Sequence, residues 1–133
     1  MSQEFRPGVR FSAADLLFLA AAGAFAWWAW ERGAWLAGAT LYVVGNFFLF
    51  CNVFRIGRSA ELSWSVVFVV LTGIRLQTGS LSWWTIYGAT AILTAFLIGI
   101  EMRKASYHGV GWSRINPGLK DWWLQRRAKS APE

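Results

Sequence analysis

The chain has 133 residues, a net charge of +6 and 56% hydrophobic residues, ten of them Trp and ten Phe. One soluble core of this length does not hide that much apolar surface, so a water-soluble domain is excluded in favour of a single membrane domain. The positive charge would suggest nucleic acid in a soluble protein. Here it reads as a marker of topology, and no nucleic-acid partner is expected.

The chain opens on a short basic lead, residues 1–11. Arg6 and Arg10 before an apolar run, with Ala24-Phe-Ala26 beyond, imitate a signal peptide. The apolar run continues through Trp27, Trp28 and Trp30, so a retained helix is expected. Four windows are almost free of charge: 16–30, 35–54, 62–74 and 81–100. A helix needs roughly 20 apolar residues to cross a bilayer. The second and fourth windows meet that unaided, the first does if it starts at Ser12, and the third does if Arg75 and Gln77 are counted. The expected fold class is an all-α integral membrane protein. Its four transmembrane helices, at about 12–30, 35–54, 60–77 and 81–102, form two antiparallel hairpins within a domain spanning 12–102. Three spans plus a re-entrant piece is the alternative.

Ser12-Ala-Ala-Asp15 reads as a capping box at the start of helix 1. The helix's middle, Ala20-Ala-Ala-Gly-Ala24, is a smooth surface that lets another helix backbone approach closely. Glu31-Arg-Gly-Ala34 is a short turn into helix 2, where Gly38, Gly45 and Asn52 recur every seven residues and define a face expected to meet a helix. The bend Arg55-Ile-Gly-Arg58 follows, with Ser59 as a candidate cap for helix 3 and Glu61 near the positive end of its dipole. Gln77-Thr-Gly-Ser80 is the turn into helix 4. Gly38-Ala-Thr40 and Gly88-Ala-Thr90 match, a faint trace of a duplicated hairpin. The basic tail, 103–133, contains the turn signal Asn116-Pro-Gly118. After it Leu119, Trp122 and Trp123 share one helical face, which predicts a short amphipathic segment resting on the membrane surface. A disordered basic tail is the alternative.

Four spans place the lead, the 55–61 bend and the tail on one side, together with Arg6, Arg10, Arg55, Arg58, Arg103, Lys104, Arg114, Lys120, Arg126, Arg127 and Lys129. Only Arg32 and Arg75 fall on the other. The positive-inside rule makes the first side cytoplasmic and both termini with it, in a bacterial-type inner (plasma) membrane. Trp27, Trp28, Trp30, Trp35, Trp83 and Trp84 then gather at the far surface as an aromatic belt.

The chemistry-bearing residues are sparse. The one histidine, His108, lies beyond helix 4, so two-histidine haem ligation across helices within one chain is excluded. Zinc and di-iron ligand sets are missing, as are cysteine pairs, and no nucleophile–base motif is visible. An enzyme is not expected, nor a metal or cofactor, with His108 as the weak cofactor candidate. Cys51 reads as an inert thiol in an apolar helix. Arg75 is expected to reach solvent or to pair with Glu31. Arg55, Arg58, Arg103 and Lys104 form a rim for anionic phospholipid or a partner, joined by Trp122 and Trp123. Asn46 and Asn52 are expected to hydrogen-bond between helices. The expected function is a non-catalytic accessory or scaffold subunit of a larger membrane complex, or of an assembly of its own copies. The alternative is a small oligomeric transporter or channel with a polar path near Asn46, Asn52 and Arg55.

Overall fold

The computed structural model describes residues 4–131; residues 1–3 of the lead and 132–133 of the tail lie outside the described residues. Six helices follow in order: α1 (Ala13–Trp30), α2 (Ala34–Phe48, continued as a π-helix over Leu49–Val53), α3 (Arg58–Thr78), α4 (Trp83–Met102), α5 (Trp112–Ile115) and α6 (Leu119–Ser130). Four of them are long and apolar enough to cross a membrane. Among the described residues there is no strand.

The helix boundaries have local causes. Ser12 accepts from the Asp15 amide at 3.3 Å while the Asp15 carboxylate accepts from the Ser12 amide at 2.7 Å, a complete capping box. The expected Ser59 cap does not form. Helix α3 starts two residues earlier, with Gly57 at its N-cap and no side-chain cap, and the Ser59 carbonyl instead accepts from Ser63 inside the helix. Gly79 closes α3 in the left-handed conformation, which glycine adopts without a Cβ penalty, and Ser82 caps α4 through the Thr85 amide at 3.1 Å.

Helix α1 packs against α2, and α3 against α4. The first contact is made by small side chains, with Ala26, Ala29 and Ala37 buried. The main core lies among α2, α3 and α4. Trp64 and Phe50 are fully buried, and Trp64 stacks on Phe68 with centroids 5.3 Å apart. The Trp64 indole N–H donates to the Thr90 carbonyl at 3.2 Å, so the largest core side chain also has its polar group satisfied. Thr90 is fully buried and its hydroxyl lies 2.8 Å from that of Tyr42. Thr40, the matching residue of the repeated tripeptide, only bonds back to Leu36 in its own helix. The two copies thus do different jobs.

Helix α2 departs from the regular pattern at its end. Phe54 N–H donates to the Leu49 carbonyl and Ile56 N–H to the Phe50 carbonyl, wider closures than an α-helical turn makes. This rotates Asn52 off the line set by Gly38 and Gly45. Asn52 is buried, whereas Gly45 is exposed with nothing near its Cβ position. The seven-residue line is therefore not one covered face. Arg55 follows at φ +50°, the one non-glycine residue with positive φ among those described. A left-handed arginine costs roughly 1–2 kcal/mol, so the surrounding contacts must hold it there.

Trp64→Ala is expected to destabilise the protein by about 3–5 kcal/mol through cavity formation and loss of the bond to Thr90. Trp84→Ala removes an exposed ring and should change stability by less than about 0.5 kcal/mol. Reversible unfolding of the purified protein in detergent measures both.

Candidate functional site: an arginine and tryptophan pocket

Three segments distant in sequence meet at the C-terminal end of α2. The Arg10 amide donates to the Asn52 carbonyl at 2.8 Å, the Val110 amide to the Val53 carbonyl at 2.8 Å, and the Gly8 amide to the His108 carbonyl at 2.7 Å. The Arg55 guanidinium donates to the Arg6 carbonyl at 2.6 Å. Gly109 is the point of closest approach. It is buried, and a Cβ there would collide with the Phe54 backbone, so only glycine fits. Tyr107, buried beside it, donates to the Val110 carbonyl at 2.7 Å, and burial pushes its phenol above the ordinary value. Asn116 of the expected Asn-Pro-Gly turn donates to the Ala105 and Tyr107 carbonyls at 2.6 and 3.1 Å, which folds the tail back on itself.

This crossing forms a pocket of about 400 Å³. Its cationic wall is Arg6, Arg55 and Arg126; its apolar wall includes Phe5, Leu119, Trp122 and Trp123; His108 and Glu4 also line it. Phe5 packs on Trp112 and Trp123 with centroids 5.9 and 5.3 Å apart. The apolar face of α6 thus meets the lead of its own chain, where Phe5 and Trp112 supply an aromatic platform, with Leu119 buried and Trp122 and Trp123 half-buried. Arg126 lies 5.2 Å from the Trp122 centroid and Arg127 4.9 Å from that of Trp123, the spacing one helical turn provides.

The electrostatics are lopsided. Burial, and then the nearby charge of Arg10, lower the pKa of Arg55 from its ordinary value, yet a guanidinium still carries its charge at neutral pH. Among the described residues the ion pairs are Arg6 with Glu4 and Lys104 with Glu101, the latter at 2.8 Å. Arg55 has no carboxylate partner among the described residues. His108 Nδ1 lies 2.8 Å from the Ser106 carbonyl; a carbonyl only accepts, so Nδ1 donates in that contact.

The sequence-derived candidates therefore separate. Arg55, His108, Trp122 and Trp123 come together in this pocket. Arg58, Arg103 and Lys104 are exposed and do not line it. Asn46 lies elsewhere, between α2 and α4: it accepts from Thr94 at 2.9 Å and donates to the Tyr42 carbonyl at 2.9 Å. Asn52 offers its carbonyl to Arg10, while its buried side-chain nitrogen has no hydrogen-bond partner. Cys51 is exposed, with its thiol 3.6 Å from Glu61. Arg75 does not pair with Glu31. It donates instead to the Leu81 carbonyl in the turn it borders and lies 5.3 Å from the Trp83 centroid. The sequence reading missed Phe5, Arg6 and Arg126 as pocket residues. Gly109, directly after Tyr107 and His108, was the available signal that the tail packs closely on something.

No protein-family model, no curated protein and no solved structure matches this chain.

Gly109→Ala is expected to force the tail away from the bend, at a cost of about 1–3 kcal/mol from overpacking. Limited trypsin digestion should then cut after Arg114 and Arg126 several-fold faster than in the parent protein, while α1–α4 keep their helical circular dichroism.

Proposed function

We propose that this is a multi-pass protein of a bacterial-type inner membrane, serving as a non-catalytic accessory or scaffold subunit of a larger membrane complex. In this reading α1–α4 cross as two antiparallel hairpins and both termini are cytoplasmic. Contacts at the two ends of α2 support the hairpins. Trp35, at its start, stacks on Trp83 at the start of α4, with centroids 5.4 Å apart. At its finish, Phe48 meets Phe11 just before α1, and Val53 meets the tail that follows α4. Eleven basic residues then fall on the side of the bend, which favours the cytoplasm for that side.

One observation carries the accessory role. The smooth stretch Ala20-Ala-Ala-Gly-Ala24 of α1 is left almost wholly uncovered, and nothing lies within 4 Å of the Gly23 Cβ position. In lipid there is no hydrophobic drive between helices, so small residues that admit a second backbone are where association gains its dispersion energy. Exposed Phe18, Phe25 and Trp27 flank this stretch. The polar groups of Asn46, by contrast, are spent inside the chain, which supports a packing role for that residue.

The test is purification in mild detergent with identification of co-purifying membrane chains. Gly23→Leu should reduce their recovery by about tenfold, the effect of losing about 1.4 kcal/mol of association, while leaving the protein's own thermal unfolding unchanged. A protein that runs alone as a monodisperse monomer, and whose deletion leaves every membrane complex intact, would refute the reading.

A further inference from the structure

Three arginines from three separate segments converge on one 400 Å³ pocket: Arg6 from the lead, Arg55 from the bend and Arg126 from α6. Arg6 and Arg126 are exposed, so water screens much of their mutual repulsion, whereas Arg55 is half-buried. Among the described residues that line the pocket the one acid is Glu4, which pairs with Arg6. Arg55 is half-buried, held in a left-handed backbone conformation, and among the described residues its guanidinium is hydrogen-bonded only to a neutral carbonyl. Backbone strain of this kind persists where the surroundings over-determine it, and it gathers at binding sites. The volume falls at the small end of ordinary ligand pockets, more room than one phosphate group fills. Guanidinium groups match phosphate oxygens in planar, two-pronged fashion. The Trp122 and Trp123 walls offer an apolar surface for the atoms beyond the phosphate.

We propose that this pocket binds a phosphate-bearing anionic headgroup, with Arg6, Arg55 and Arg126 on its oxygens and Trp122 and Trp123 against the attached carbon skeleton. The headgroup belongs either to a lipid or to a soluble phosphate ester. Glu4 occupies part of the cationic wall when the site is empty and is displaced when the ligand enters. The site does not depend on the partner role of α1, because it is built from other segments.

The test uses the full chain purified in detergent, titrated by calorimetry with short-chain phosphatidylglycerol, glycerol phosphate, inorganic phosphate and, as the zwitterionic control, short-chain phosphatidylcholine. Phosphatidylglycerol binding well above both soluble phosphates assigns a lipid source; equal binding of glycerol phosphate assigns a soluble one; either supports the proposal. Arg126→Gln should weaken binding about tenfold, as loss of a charge-assisted hydrogen bond does. Arg55→Gly should do the same without unfolding the chain, because glycine accepts the left-handed backbone freely. Glu4→Gln should tighten binding, and the paired change Arg103→Gln with Lys104→Gln should leave it within about twofold, since neither lines the pocket. The proposal is overturned if no phosphate compound binds, if phosphatidylcholine binds as well as phosphatidylglycerol, or if the Arg103 and Lys104 changes cost as much as Arg126→Gln.

Discussion

The way α2 ends governs much of this molecule. A helix that must stop has unpaired carbonyls to satisfy, and α2 does so by widening into a π-turn and then placing Arg55 in a left-handed conformation. The Asn52 and Val53 carbonyls that remain free are taken by amides from the lead and the tail. Two chain segments more than fifty residues apart are thereby fixed to one helix terminus. Everything at that end follows: the close pass of Gly109 over Phe54, the return of α6 toward Phe5, and the meeting of three arginines at one pocket. A regular α-helical ending with glycine in the position of Arg55 would still stop the helix, but it would bring no guanidinium to the pocket.

The two halves of the molecule are stabilised differently. In the helical body, interior polar groups are few and most are paired, the Asn52 side-chain nitrogen and the Thr72 hydroxyl being the exceptions among the described residues. Thr94 donates to Asn46, Tyr42 meets Thr90, and Trp64 donates to the Thr90 carbonyl. Such pairing matters because an unpartnered polar group in an apolar medium costs several kcal/mol, on the order of 2–7. The large outward faces of α1 and α3 carry side chains that suit hydrocarbon or another helix. At the bend, the opposite holds: charge is plentiful, incompletely neutralised and set beside tryptophan. A body that packs and a basic, tryptophan-lined end are the two features on which the proposed partner role and the proposed anion site respectively rest.

Hydropathy and end signals made the helical body legible. The four charge-poor windows became four long helices, and Ser12 and Asp15 formed both bonds of their box because that motif is local. Gly79 and Asn116-Pro-Gly118 marked turns for the same reason. What failed was local evidence stretched too far. Ser59 looked like a cap, but Gly57 already supplied an extended residue before the helix, so the helix began sooner. The line of Gly38, Gly45 and Asn52 assumed an unbroken α-helical period, and the π-turn broke it. Arg75 seemed to need a carboxylate, yet a free carbonyl six residues ahead was nearer at hand. The pocket was half legible. Arg55, His108, Trp122 and Trp123 each stood out by residue type, but their meeting depends on tail-to-bend hydrogen bonds that no periodicity encodes. For the same reason Phe5 went unnoticed, Arg6 and Arg126 were read only as markers of topology, and Arg103 and Lys104 were grouped with Arg55 though the fold keeps them outside the pocket.

The tethering of lead and tail to the end of α2, on one side of a bilayer, can be tested by cross-linking. Cysteines placed at Val9 and Val110 in a Cys51→Ser chain would be treated, in sealed membrane vesicles of known orientation, with a short bifunctional thiol reagent that does not cross lipid. An intramolecular link formed from the cytoplasmic face, and not from the other, is the predicted result. Labelling of the two positions from opposite faces, or two accessible thiols that never join, would contradict it.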